Sequence, residues 1–207
     1  MSLLTIWGYS LTDVDSLPDL LTVAEFNTFT GNKYAGMTNQ VEAEISSASG
    51  AIRNFVGWHL GPSASCELNT TFLDRRVVRI GGDVLIQLPA RYVTSVASVA
   101  INGATCSHFV IDPNGLLRVI GVGVVNYYAP VVVNYTAGLP DSLLAPIKEL
   151  MAHRVTHAVA VPSGITAEAS GGVSVTYNAN WINNSRATAL AGDNKELLIP
   201  YKVEGVY

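Results

Sequence analysis

Between Ser65 and Thr136 the chain is a succession of short β-branched and aromatic runs, broken every few residues by Gly, Pro, Asn or Asp. Amphipathic helices do not survive that punctuation, whereas antiparallel strands joined by tight turns require it. The spacing predicts strands at Cys66–Phe72, Arg76–Ile80, Val84–Leu88, Val93–Ile101, His108–Ile111, Leu116–Ile120 and Val131–Tyr135. Asn102-Gly103 and Asp112-Pro113-Asn114-Gly115 read as hairpin turns, because Gly and Asn accept the positive φ that such turns need. Along Val93–Ile101 the side chains alternate without clean polarity, so this strand is expected to be covered on both faces.

Helical periodicity flanks this region. Asp19, after Pro18, is an N-cap candidate for a short helix through Leu21, Glu25 and Phe29. Thr38 or Asn39 caps a second helix to about Val56, with Val41, Ile45, Ala48, Ile52 and Phe55 on one stripe. Asp141 or Ser142 starts a third helix that ends near Pro162 and carries Leu144, Ile147, Met151, Val155 and Ala158 on one face. Pro146 is placed near its first turn, where a missing N–H costs least. Beyond it, Ile165–Glu168 and Val173–Tyr177 flank Gly171-Gly172 as a hairpin. Short helices are expected at Ser185–Leu190 and Asp193–Ile199, the latter stopped by Pro200.

Composition narrows the function classes. Hydrophobic residues make up 49% of the 207 residues and charged residues only 14%, which excludes intrinsic disorder. Twelve Lys and Arg against sixteen Asp and Glu leave a net charge of −4, which disfavours duplex-reading nucleic-acid binders and anionic membranes. So few charges suit a chain that covers much of its surface with partners, and a multimer is the expectation. Residues 92–111 and 119–140 lack Asp, Glu, Lys and Arg, yet their Gly, Pro and Asn interruptions fit paired strands better than membrane helices. No Lys or Arg precedes Lys33, so a basic signal-peptide region is absent and cytoplasmic synthesis is expected.

The residues that carry chemistry in other proteins lack their usual context here. His153 and His157 stand four apart on the third helix, but Arg154 follows His153 where a metalloprotease has Glu, and no third ligand stands out. Cys66 and Cys106 read as free thiols in a reducing compartment. Gly121-Val122-Gly123 lacks the Lys and following helix of a phosphate loop. Arg75, Arg76 and Arg79 form a basic cluster suited to a solvated or inter-subunit role. Neither enzymatic activity nor a cofactor or metal is expected. Two other classes compete: a β-rich carbohydrate-binding or adhesin module using Trp7, Trp58 and Trp181, and a metal-dependent hydrolase using His153 and His157.

Taken in order, the elements across about residues 19–201 resemble the head–tail connector (adaptor, or head-completion) proteins of long-tailed bacteriophages, in their longer version with a β insertion. Asp19-Leu20-Leu21-Thr22-Val23-Ala24-Glu25 resembles the family's opening helix, and Val41–Gly57 its next helix. Leu88-Pro89 followed by Ser95-Val96 and Ser98-Val99 is similar to its proline and repeated Ser-Val pairs. The most specific part is the strand ending Tyr135-Thr136-Ala137-Gly138, then Leu139-Pro140, then the long helix at Ile147–Val159. Glu168–Tyr177 is similar to the family's hairpin after that helix.

The resemblance implies an α+β fold: a small helical bundle of connector type with an antiparallel β-rich insertion, a C-terminal hairpin and a tail. It divides the chain into an N-terminal arm 1–18, a helical core 19–62 and 138–192 with hairpin 164–178, a β-rich insertion 63–137 and a C-terminal arm 193–207. The implied function is a structural virion protein of the neck, assembled in the bacterial host cytoplasm. Copies of it, usually twelve, form a ring that joins the portal to a stopper or tail-completion protein and lets DNA pass without specific binding. No membrane partner is implied. Leu197, Leu198, Ile199, Tyr201 and Tyr207 are the implied portal contacts, so that deleting Asp193–Tyr207 should leave the fold intact but abolish portal binding. Glu168, Val173, Val175, Tyr177, Arg75 and Arg76 are the implied inter-subunit or tail-side contacts.

Overall fold

The computed structural model of the chain describes residues 4–6, 8–13, 16–123, 125–160, 167–170, 173–176 and 194–203. The chain divides into two compact units, one of Met1–Pro18, Val56–Asp141 and Tyr201–Tyr207, the other of Asp19–Phe55 and Ser142–Pro200.

The first unit is built on antiparallel sheets. Strands β1 (Leu4–Ile6), β2 (Tyr9–Leu11), β3 (Ala64–Thr71), β6 (Val93–Ile101), β7 (Ala104–Thr105) and β10 (Pro130–Ala137) form a six-stranded sheet in the order β1-β2-β3-β10-β6-β7. At its centre β10 alternates as the sequence pattern demands, with Val131, Val133, Tyr135 and Ala137 buried against Ala64, Cys66 and Leu68 of β3 in the same core. Register shifts at Asn134/Tyr135 and Thr136/Ala137 place one extra β6 residue each, Ala97 and Thr94, opposite β10, and such bulges bend β6. In β6 only Val93, Val99 and Ile101 are buried, while Thr94, Ser95 and Ala97 are exposed, so the expectation of two covered faces fails in the middle of that strand.

A second sheet of four strands, β4 (Val77–Ile80), β5 (Asp83–Gln87), β9 (Leu116–Val119) and β8 (Phe109–Ile111), has the order β4-β5-β9-β8. The β8–β9 turn depends on Gly115. Its φ is +87°, and a Cβ there would collide with the Ala90 carbonyl oxygen.

One polar network ties together distant parts of this unit. The buried His59 donates from Nε2 to the Ala137 carbonyl at 2.9 Å. A carbonyl only accepts, so Nδ1 is left as acceptor for the Tyr9 hydroxyl at 2.6 Å. The same hydroxyl oxygen accepts from the His59 backbone N–H at 3.0 Å. All of these polar atoms are thereby satisfied in the interior, as burial requires.

The second unit holds α1 (Val23–Phe29), most of α2 (Thr38–Val56), most of α3 (Asp141–Ala160), the hairpin β11 (Ala167–Ser170) and β12 (Val173–Thr176), and α4 (Asn194–Leu198). Thr22, not Asp19, caps α1: its Oγ1 accepts from the Glu25 N–H while Glu25 accepts from the Thr22 N–H, a reciprocal capping box. Asp19 instead accepts from the Ser46 hydroxyl at 2.6 Å. Glu25 also receives Lys148 of α3 at 2.6 Å. Burial works to raise the Glu25 carboxyl, but Lys148 and the cap bonds outweigh it and hold the group below its ordinary value. Val41, Ile45, Ala48 and Ile52 of α2 form the buried stripe; in α3 it is closed by Val159 rather than Ala158. Pro146 lies inside α3, beyond the first turn, where it removes one intrahelical bond.

The small helical bundle of connector type does not form. The chain is a mixed α/β protein, mostly antiparallel β with two long helices, and no helical bundle stands among the described residues. The reason is length as well as pattern. α1 has 7 residues and α4 has 5, too short to offer the several turns of apolar stripe that a bundle layer needs.

Candidate interaction surface

The most unusual surface belongs to the four-stranded sheet. Cross-strand register sets Val78, Leu85, Arg118 and Val110 in one row, with Ile80 opposite Asp83 and Gln87 opposite Leu116. Strand alternation puts these residues on one face. The opposite face carries Val84, Ile86, Leu117 and Val119, all buried. An outer face that met only water would be polar, yet Val78, Ile80, Val110, Leu116 and Ile120 are each between 42% and 61% exposed.

Its one strong polar feature closes on itself. Arg118 donates from Nε and Nη2 to Asp83 Oδ2 at 2.9 and 2.5 Å, and the Gly121 N–H donates to Asp83 Oδ1 at 3.2 Å. Those bonds, the Arg118 side chain first, hold the Asp83 carboxyl below its ordinary value. The face is therefore apolar and carries no net charge from this pair.

A second exposed apolar feature lies on the turn before β10. Asn126 accepts from the Ala129 N–H at 2.9 Å, and its side-chain oxygen accepts from the Tyr128 N–H at 3.0 Å. This turn holds Tyr127 and Tyr128 at 73% and 72% exposure, the highest of any large apolar side chain among the described residues.

The residues singled out in the sequence are distributed differently. In the C-terminal segment Leu197 and Ile199 are 39% and 56% exposed, but Leu198 is fully buried. The Tyr201 carbonyl accepts from the Trp58 indole N–H at 2.8 Å, its ring lies 6.4 Å from that of Tyr92, and the Val203 N–H donates to the Val56 carbonyl. Residues 201–203 are thus part of the first unit's packing, which corrects the expectation that deleting 193–207 spares the fold. Tyr207 and Tyr177 lie outside the described residues. Glu168 pairs with Val175 in the β11–β12 ladder, as Val173 does with Ser170. Arg75 is exposed, whereas Arg76 is taken up by Asp74, with contacts of 2.6 to 3.1 Å from Nε and Nη2. The Arg76 side chain pulls the Asp74 carboxyl well below the usual carboxylate range.

His153 is exposed and 3.9 Å from Glu149, and His157 is exposed too; no group of three His, Cys, Asp or Glu able to hold a metal occurs among the described residues. Cys66 and Cys106 are free, and burial followed by the nearby Asp13 charge pushes the Cys66 thiol up to about 12. Trp58 is buried, and so offers no platform to a sugar; Trp7 and Trp181 lie outside the described residues. No described helix is long and apolar enough to cross a membrane.

Sequence reasoning missed the open sheet face. The signal was present in Val77-Val78-Arg79-Ile80 and Leu116-Leu117-Arg118-Val119-Ile120, which are apolar at both parities and so ask for cover on both sides. The chain matches no protein-family model and no curated protein sequence.

Proposed function

We propose that this chain is a structural subunit of a tailed-bacteriophage neck, a head–tail connector whose copies form a ring between the portal and a stopper or tail-completion protein. The reading starts from the ordered run of strand, Tyr135-Thr136-Ala137-Gly138, Pro140, long helix and hairpin. The observation that carries it is the open sheet face, whose exposed apolar side chains surround a self-closed ion pair. Such a face is costly for a solitary protein and ordinary for one that spends its life against partners. A net charge of −4 supports a conduit through which DNA passes without being held, because each neutralised phosphate would add a salt-dependent hold. In this reading the protein is neither an enzyme nor a cofactor carrier and works in the virion neck after assembly in the host cytoplasm. Leu197 and Ile199 remain the portal-contact candidates of the C-terminal segment, since Leu198 is buried and Tyr201 is engaged within the chain.

The test is mass in solution by light scattering, for the protein alone and mixed with the portal encoded beside it. The expected result is a portal-bound complex containing many copies of this chain. A protein that stays monomeric and ignores the portal overturns the reading.

A further inference from the structure

We propose that the open face of the β4–β5–β9–β8 sheet seats the Tyr127-Tyr128 turn of a neighbouring copy of this chain. The inference rests on the ring reading above, because a ring closes only when two different surfaces of each copy meet.

Three observations single out this occupant. The first is shape and chemistry. One unit carries an exposed apolar sheet face and, separately in sequence, a turn that exposes two adjacent aromatic rings. Tyrosines are preferred interface anchors because they bring large rigid area with a polar tip. Arg118, whose side chain is 59% exposed, offers its guanidinium to a ring face, and the Asp83–Arg118 pair and the Gln87 amide offer polar partners to a seated hydroxyl. The Asn126 bonds fix the turn before contact, which lowers the entropy lost on docking.

The second is charge. Asp83 and Arg118 cancel at 2.5 Å, and the turn Asn126–Ala129 contains no ionisable acid or base apart from the two phenols. A nucleic acid or a strongly charged peptide finds no complement on either surface, whereas the two neutral surfaces meet without burying an unpaired charge.

The third is area. Strand spacing and rise give the face a footprint of roughly 300 Å². A stable free dimer covers about 800 Å² on each partner, so this contact is weak alone. It becomes effective where a template holds copies side by side at high local concentration.

The experiment uses two full-length single-site variants in a Cys106→Ser background, Val110→Cys on the face and Tyr128→Cys on the turn, one of them mass-tagged. Both positions are exposed, and thermal unfolding by circular dichroism checks that each variant folds as the parent does. The proteins are mixed at high concentration under mild oxidation and run on a non-reducing gel. The expected product is a disulfide-linked heterodimer, formed several-fold more than any homodimer of either variant alone. A mixture without heterodimer overturns the proposal, and so does Val110→Cys linking to itself as readily as to Tyr128→Cys. The light-scattering result separates the two readings. A portal-bound ring without this cross-link removes only the contact; the cross-link without a portal-bound ring removes the ring reading and leaves a self-association surface.

Discussion

Tyr9 is the side chain on which the N-terminal hairpin depends. The hairpin's ladder to β3 has two register pairs, Ser10 with Glu67 and Leu11 with Cys66, so backbone pairing alone gives it little hold. The Thr12 N–H donating to the Ser65 carbonyl and the Ser65 N–H donating to the Asp13 carboxylate, both at 2.9 Å, extend that hold, and burial of Tyr9 and Leu11 with the Tyr9 hydroxyl adds to it. Tyr9→Phe keeps the ring but removes the hydroxyl that bonds His59 Nδ1 and the His59 N–H in the buried interior. The expected loss is about 1–3 kcal/mol in urea unfolding, the cost of leaving buried polar groups unpaired. In a double-mutant cycle, His59→Ala should add less on top of Tyr9→Phe than it costs by itself, because both act on one network. A Tyr9→Phe protein as stable as the parent shows that the hydroxyl is no latch. None of this was legible in the sequence, because the network joins residues 50 and 78 positions apart that share no motif.

Elements with a clear period were legible, and those too short to have one were not. The stripes of α2 and α3 and the strands β3 to β6 and β8 to β10 follow from 3.6- and 2-residue spacing, whereas the two-residue β7 was not foreseen, and the Asn102-Gly103 turn has the two positive φ angles, 53° and 75°, that its residues foretell. β1 and β2 hold 3 residues each, less than any periodicity needs, and their place in the six-stranded sheet comes from tertiary contacts. The bundle expectation failed at this same scale, since a stripe shows that a helix buries one face but not what lies against it. The C-terminal segment illustrates how one short element divides its labour. Leu198 is buried while Leu197 and Ile199 beside it are exposed. Leu198→Ala is expected to cost about 2–4 kcal/mol through the cavity it leaves. Ile199→Asp should change stability by no more than about 0.5 kcal/mol, as exposed positions do. Thermal melts of the two variants check the contrast. If the order reverses, Ile199 belongs to the packing and is withdrawn as a portal-contact candidate.

At the scale of the whole molecule, the decisive property is that an anionic chain presents its apolar surface around a charge pair that is already satisfied. Exposed charges that do not meet across an interface contribute little to its affinity, and what they do contribute is screened over about 8–10 Å at ordinary ionic strength. Apolar contact behaves in the opposite way, because salts excluded from protein surfaces strengthen burial. Association of copies through the open sheet face should therefore hardly respond to sodium chloride and should strengthen in sulfate, which sedimentation at a series of salt concentrations measures directly. Any affinity for DNA should be lost over the same sodium chloride range, since it depends on counterion release. The two dependences separate a surface evolved to hold its own kind from one evolved to hold nucleic acid. Association that collapses with added sodium chloride places the contact on charged residues such as Arg75 and the acids of a neighbour, and removes the sheet face from the interface.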